Sequence, residues 1–173
     1  MLTGMSRWGP VRSIPVGGLV AVGFLDERCV VVGSHDGLGV FEANSGARLD
    51  RVSDREGDYV WFQEAPPLAV YIDADGEDRI PVAGLWGGEL RDRSDDGWTC
   101  ERVSSGARLV GPEGTTITVV DDVEPRACGF SPEGHVFVYA TSPTLNLTVR
   151  QAVRRRSQEE HRATSGRCGC VVA

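Results

Sequence analysis

Residues 20–52 read VAVGFLDERCVVVGSHDGLGVFEANSGARLDRV, and the reading of this stretch decides the fold class. Val20, Val22 and Phe24 alternate with Ala21 and Gly23, and a polar turn at Asp26-Glu27 separates them from Val30, Val31 and Val32. β-Branched runs this short, bounded by acidic and glycine turns, read as strands and not as helices. The next turn, Ser34-His35-Asp36-Gly37, leads into Leu38, Val40 and Phe41. Asp-Gly between apolar runs is a hairpin signal, because glycine accepts positive φ without steric cost. A third turn, Asn44-Ser45-Gly46, opens a polar strand over Ala47–Val52. The expectation is one antiparallel meander of four strands.

Other parts of the chain repeat this pattern. Val60, Phe62, Leu68 and Val70 follow Val22, Phe24, Val30 and Val32 at a constant offset of 38, close to the spacing that a four-strand unit requires. Ala127-Cys128-Gly129-Phe130 and Val136-Phe137-Val138 match Ala21–Phe24 and Val30–Val32 at an offset of 106. Between Gly87 and Val123, strands are expected at Trp98–Val103, Ala107–Val110 and Thr115–Val120, although the distance from Phe62 to Phe130 suits neither one unit nor two. Val11–Val16 reads as a further strand.

The order Gly33-Ser34-x-Asp36-Gly37, Val40-Phe41-Glu42, Ser45-Gly46 resembles a β-propeller blade of the WD-repeat or quinoprotein-like kind, with Phe41 where the name-giving Trp would stand. Phe130-Ser131-Pro132-Glu133-Gly134 resembles the turn between the first two strands of such blades. The resemblance implies an all-β chain of four-stranded meanders forming a partial or small propeller, with a β-sandwich or barrel of the same strands as the alternative. It implies three to four blades, an N-terminal strand that completes another blade, and a homodimer as one way to close the ring. Residues 1–10 are expected to be a flexible start, 11–149 the β domain, and 150–173 a short helix over Gln151–Arg162 followed by a disordered tail.

Composition narrows the function classes. A net charge of −7 and a pI near 5.0 argue against nucleic-acid binding, whose non-specific affinity comes from clustered basic charge. All 18 basic residues are Arg. The five scattered cysteines make no disulfide framework, so a reducing, cytoplasmic setting is expected. No apolar run approaches the length of a membrane span. The final Cys170-Val171-Val172-Ala173 matches a C-a-a-X lipidation pattern, but an incidental tail is the simpler account and no membrane partner is expected.

Chemistry-bearing residues are few. Ser34, His35 and Asp36 are the residue types of a hydrolase triad, but adjacent positions on a tight turn diverge, whereas a triad needs a continuous hydrogen-bond chain. Asp73 and Asp75, with Glu77 and Asp78, are hard-cation ligand types whose spacing departs from the twelve-residue calcium loop; a solvated turn is the simpler account. The Asp95-Asp96 pair reads the same way. No cofactor is expected. Trp86 and Trp98 are candidate rim anchors, since Trp dominates interface hot spots. Together with Ser34, His35, Asp36, Asp73, Asp75 and Glu133, they outline a protein-binding face formed by the turns at 34–37, 73–78 and 131–134. The reading is a non-catalytic interaction module or scaffold with a protein partner. The alternatives are a propeller-type enzyme and a small acidic inhibitor.

Overall fold

The structure, a computed structural model, describes residues 7–53, 61–103, 106–120 and 125–151. They form fifteen strands and no helix: β1 (Arg7–Trp8), β2 (Arg12–Pro15), β3 (Leu19–Phe24), β4 (Cys29–Ser34), β5 (Gly37–Glu42), β6 (Arg48–Ser53), β7 (Phe62–Gln63), β8 (Leu68–Ile72), β9 (Glu77–Gly84), β10 (Thr99–Val103), β11 (Gly106–Val110), β12 (Thr116–Val120), β13 (Pro125–Phe130), β14 (Val136–Thr141) and β15 (Thr144–Gln151). The helix and tail expected at the C-terminus, with Cys170, lie outside the described residues, apart from Gln151, which closes β15. Within the stretch expected as a loose start, Arg7 and Trp8 pair with Gln151 and Arg150, and the Trp8 ring is buried. No helix among the described residues is long and apolar enough to cross a membrane.

The meander at 20–52 forms as β3-β4-β5-β6, each strand antiparallel to the next. Its turns are held by their own side chains. Asp26 accepts from the backbone N–H of Arg28 and Cys29 at 2.6 and 2.7 Å, and Glu42 accepts from those of Asn44 and Ser45 at 3.2 and 2.5 Å. Short acidic side chains that bond the backbone just ahead of them are what make such residues turn formers.

The repeats at 62–84 and 125–151 also fold as antiparallel meanders, β7-β8-β9 and β13-β14-β15. In both, the first hairpin differs from the founding one by a residue. Phe24 pairs with Val30, whereas Phe130 pairs with Phe137 and Phe62 with Ala69. Each later loop is thus one residue longer. Because side chains alternate across a strand, that residue moves the following strand's side chains to the opposite face. Phe137 and Tyr139, not Val136 and Val138, are the counterparts of Val30 and Val32.

Three apolar clusters follow from this register. Val30 and Val32 pack with Val138, Ala140 and Leu147. Val31 and Val40, on the other face of the founding meander, pack with Ala69, Tyr71 and Val82. Phe137 and Tyr139 pack with Ala107 and Leu109 of β11. Equivalent faces therefore point the same way around the molecule: the front of each meander lies on the back of the next, in the order β7–β9, β3–β6, β13–β15, β10–β12. Val30, Val31, Val138 and Leu147 are fully buried, and each such side chain stabilises the fold by about 1.5–3 kcal/mol.

Two connections complete the frame. The N-terminal strand joins the last meander, with Ile14 opposite Leu145 and Ser13 opposite Asn146; Ser13 Oγ donates to Asn146 Oδ1 at 2.5 Å. At the other junction the founding and second units are not separate sheets. Ala21, Val22 and Gly23 pair with Gly84, Ala83 and Val82, which makes one seven-stranded sheet in the order β6-β5-β4-β3-β9-β8-β7 that curls on itself around the Val31 cluster.

Tyr71 fastens this curl by donating its hydroxyl to Asp50 on β6 at 2.7 Å. The Tyr71 hydroxyl and then the Arg51 backbone N–H hold the Asp50 carboxyl below its usual range, while the bond to Asp50, then burial, push Tyr71 up to about 12. A depressed carboxylate contributes stability above its ordinary pKa, about 3.9, and loses it as the pH falls further; a raised phenol contributes below about 10 and loses it as the pH climbs toward the folded value. Tyr71→Phe is therefore expected to lower the melting temperature most across neutral pH, with the gap to wild type closing above about pH 10 and below about pH 4. Parallel melting curves across that range would show that the bond contributes nothing.

Candidate functional site

The predicted site residues do not meet on one surface. The turn at 131–134 touches the turn at 26–28, where Ser131 Oγ donates to Glu27 Oε2 at 2.5 Å and the Glu133 backbone N–H donates to Glu27 Oε1 at 2.7 Å. The Ser34–Gly37 turn stands at the other end of β4, a strand about 20 Å long at 3.3 Å per residue. Ser34, His35 and Asp36 thus belong to one end of the molecule and Glu133 to the other.

Each residue has a local role. Ser34 Oγ donates to the carbonyl of Gly37 at 3.1 Å and accepts from the Asp36 backbone N–H at 3.3 Å, closing a tight turn in which Gly37 has φ of 123°. His35 is exposed, and its N–H donates to the Gly18 carbonyl. Asp73 Oδ1 accepts from the N–H of Asp75 and of Gly76 at 2.7 and 3.2 Å, so its carboxylate shapes the hairpin between β8 and β9. Trp86 is half-buried against Phe62, with ring centroids 4.4 Å apart. Trp98 is 3% exposed and meets Trp8 edge-on at 5.8 Å, which makes it core and not a rim anchor. Asp96, expected as a solvated turn residue, is instead ion-paired with Arg150, whose guanidinium lies 4.8 Å over the Trp8 ring.

Two arrangements arise that the sequence reading missed. The first is Glu27, Glu133 and His135, whose ligand atoms lie within 4.8 Å of one another; His135 Nδ1 is 3.9 Å from Glu27 and 3.7 Å from Glu133. One imidazole and two carboxylates could take a divalent cation, yet both Glu27 oxygens already accept hydrogen bonds within the turn.

The second is a cleft of about 390 Å³ where the N-terminal strand β2 and the outer half of the founding meander diverge. Ile14 and Pro15 form one wall, and Val32, Gly39 and Phe41 the floor. Pairing sets Gly39 opposite Arg51 and Phe41 opposite Arg48, so both guanidinium groups stand on the same face as the floor. Ser34 and Asp36 close one end. Gly39 keeps the floor low: a Cβ there would meet the Phe41 ring at 3.0 Å. The signal for this cleft was in the sequence as Gly37-x-Gly39 between apolar residues, but its second wall is β2, which is placed by pairing with β15 near the other end of the described residues.

No protein-family model and no curated protein matches the chain.

Proposed function

We propose that the chain is a non-catalytic interaction module made of four propeller-like units, and that it takes an extended peptide segment of a partner protein in the cleft between β2 and β4–β6. The observation that carries this reading is the cleft itself, with an apolar floor flanked by Arg48 and Arg51 on one side and Asp36 at one end. A concave lining that sets polar and charged groups around an apolar floor suits recognition of a segment with both kinds of group, and the mixed charge suits a segment carrying a carboxylate within reach of the two arginines. Ser34 donates its hydroxyl to the Gly37 carbonyl within the turn, and the cleft is lined at that end by Ser34 and Asp36.

The face-to-back order of the meanders and the N-terminal strand that completes the β13–β15 unit support an open arc of propeller-like units within one chain. Closure by a second copy is the weaker reading, because the outward face of β10–β12 carries Arg108, paired to Glu101 at 2.6 Å, and exposed Thr116 and Thr118. Burying these groups between copies would cost solvation that apolar closure does not.

The test is a peptide-display selection against the full chain, with each enriched peptide titrated against variants. Arg48→Glu with Arg51→Glu is expected to weaken binding by tenfold or more, about 1.4 kcal/mol, while Glu133→Ala at the far end leaves it unchanged. Peptides that bind the double variant as well as wild type would overturn the assignment.

A further inference from the structure

We propose that Cys100 and Cys128 are an oxidative modification site, a dithiol that closes to a disulfide and staples the β10–β12 sheet to the β13–β15 sheet. The two residues lie 28 positions apart, and their Sγ atoms are 2.7 Å from each other, well inside the contact distance of two unbonded sulfur atoms. Both are free thiols. They stand on different sheets: Cys100 lies on β10 opposite Leu109, and Cys128 lies on β13 opposite Tyr139. A bond between them would cross the cluster formed by Trp8, Trp98, Phe130 and Phe137, in which Ala107 and Leu109 of β11 pack against Phe137 and Tyr139 of β14.

The two thiols are not equivalent. Cys100 is half-buried and Cys128 buried, so an external reagent reaches Cys100 first. The Cys128 thiol beside it lowers the Cys100 pKa, opposed by burial and aided by Arg102; the same contact, then burial, raises Cys128. Cys100 is thus the attacking thiolate, since the thiolate is the nucleophile in exchange.

The oxidant is a low-molecular-weight disulfide. The Cys100 thiolate attacks one of its sulfurs, forming a mixed disulfide and expelling the first small thiolate. Cys128 gives up its proton and attacks the Cys100 sulfur, expelling the second. Two protein thiols and one small disulfide become one protein disulfide and two small thiols, with two electrons and two protons leaving the protein.

The experiment incubates the full chain with oxidised glutathione, then denatures and alkylates it, with a dithiothreitol-treated sample alongside. Of the five cysteines, Cys100 and Cys128 are expected to escape alkylation and to be recovered as one linked peptide pair. The oxidised chain is expected to melt roughly 10 °C higher than the reduced one. Cys100→Ser should abolish the shift and Cys29→Ser preserve it; if Cys100→Ser fails to fold, the peptide map of wild type decides alone. Full alkylation of both residues after oxidation, or a bond that maps to other cysteines, would overturn the proposal.

Discussion

Gly84→Val is expected to destabilise the chain by about 3 kcal/mol, at the upper end of what overpacking costs, and to lower the melting temperature by roughly 10 °C. A Cβ at this position would stand 2.1 Å from the Val20 carbonyl oxygen and 2.7 Å from the Ala21 Cα. Both are backbone atoms, so no side-chain rotation relieves the clash. Gly84 lies opposite Ala21 at the short junction that joins the second meander to the first. Pushing the strands apart there would open the seven-stranded sheet at its middle and loosen the cluster that contains Val31, Tyr71 and Val82. The control is Gly17→Val, where nothing lies within 4 Å of the added Cβ. Chemical unfolding followed by tryptophan fluorescence reads both. A Gly84→Val chain that unfolds with wild type would mean that β3 and β9 are not paired.

Trp98→Ala is expected to cost about 3–5 kcal/mol, the range for emptying a buried aromatic site. The indole is enclosed by Trp8, Ala107, Leu109 and Phe130, and Gly111 lets it lie close, since a Cβ there would come within 3.0 Å of the ring. Its loss leaves a cavity at the seam between two sheets, where the surrounding strands have little freedom to collapse. Trp86→Ala, at a half-buried site, should cost visibly less. Urea titration of the two variants separates the roles: equal, small losses would return Trp98 to the surface, where the sequence reading had placed it. Cleft-binding peptides should bind both variants wherever these remain folded.

The local structure of this chain was legible because its causes are local. Val30–Val32, Asp26, Ser34–Gly37 and Asn44–Gly46 specify strands and turns through β-branching, carboxylate bonds to nearby N–H groups and glycine φ values, all settled within a few residues. The founding meander, the two repeated units and the β10–β12 strands follow from these signals. The same locality explains the misplacements. An offset of 106 set Val136 and Val138 as counterparts of Val30 and Val32, because identity of residue type carries no record of a loop one residue longer. Trp98 looked like a rim anchor because exposure is a property of what comes to lie above a residue, and what lies above it is Trp8, from the other end of the chain.

The sequence by itself determined the strand content, the turn chemistry and the antiparallel pairing of neighbours. Only the tertiary structure decided which face of each strand is inward, that β3 pairs with β9, that the turns at 34–37 and 131–134 stand at opposite ends, and that Cys100 meets Cys128. Each of these depends on contacts between residues distant in the chain, whose geometry is fixed when apolar faces find one another and not by any residue's own preference.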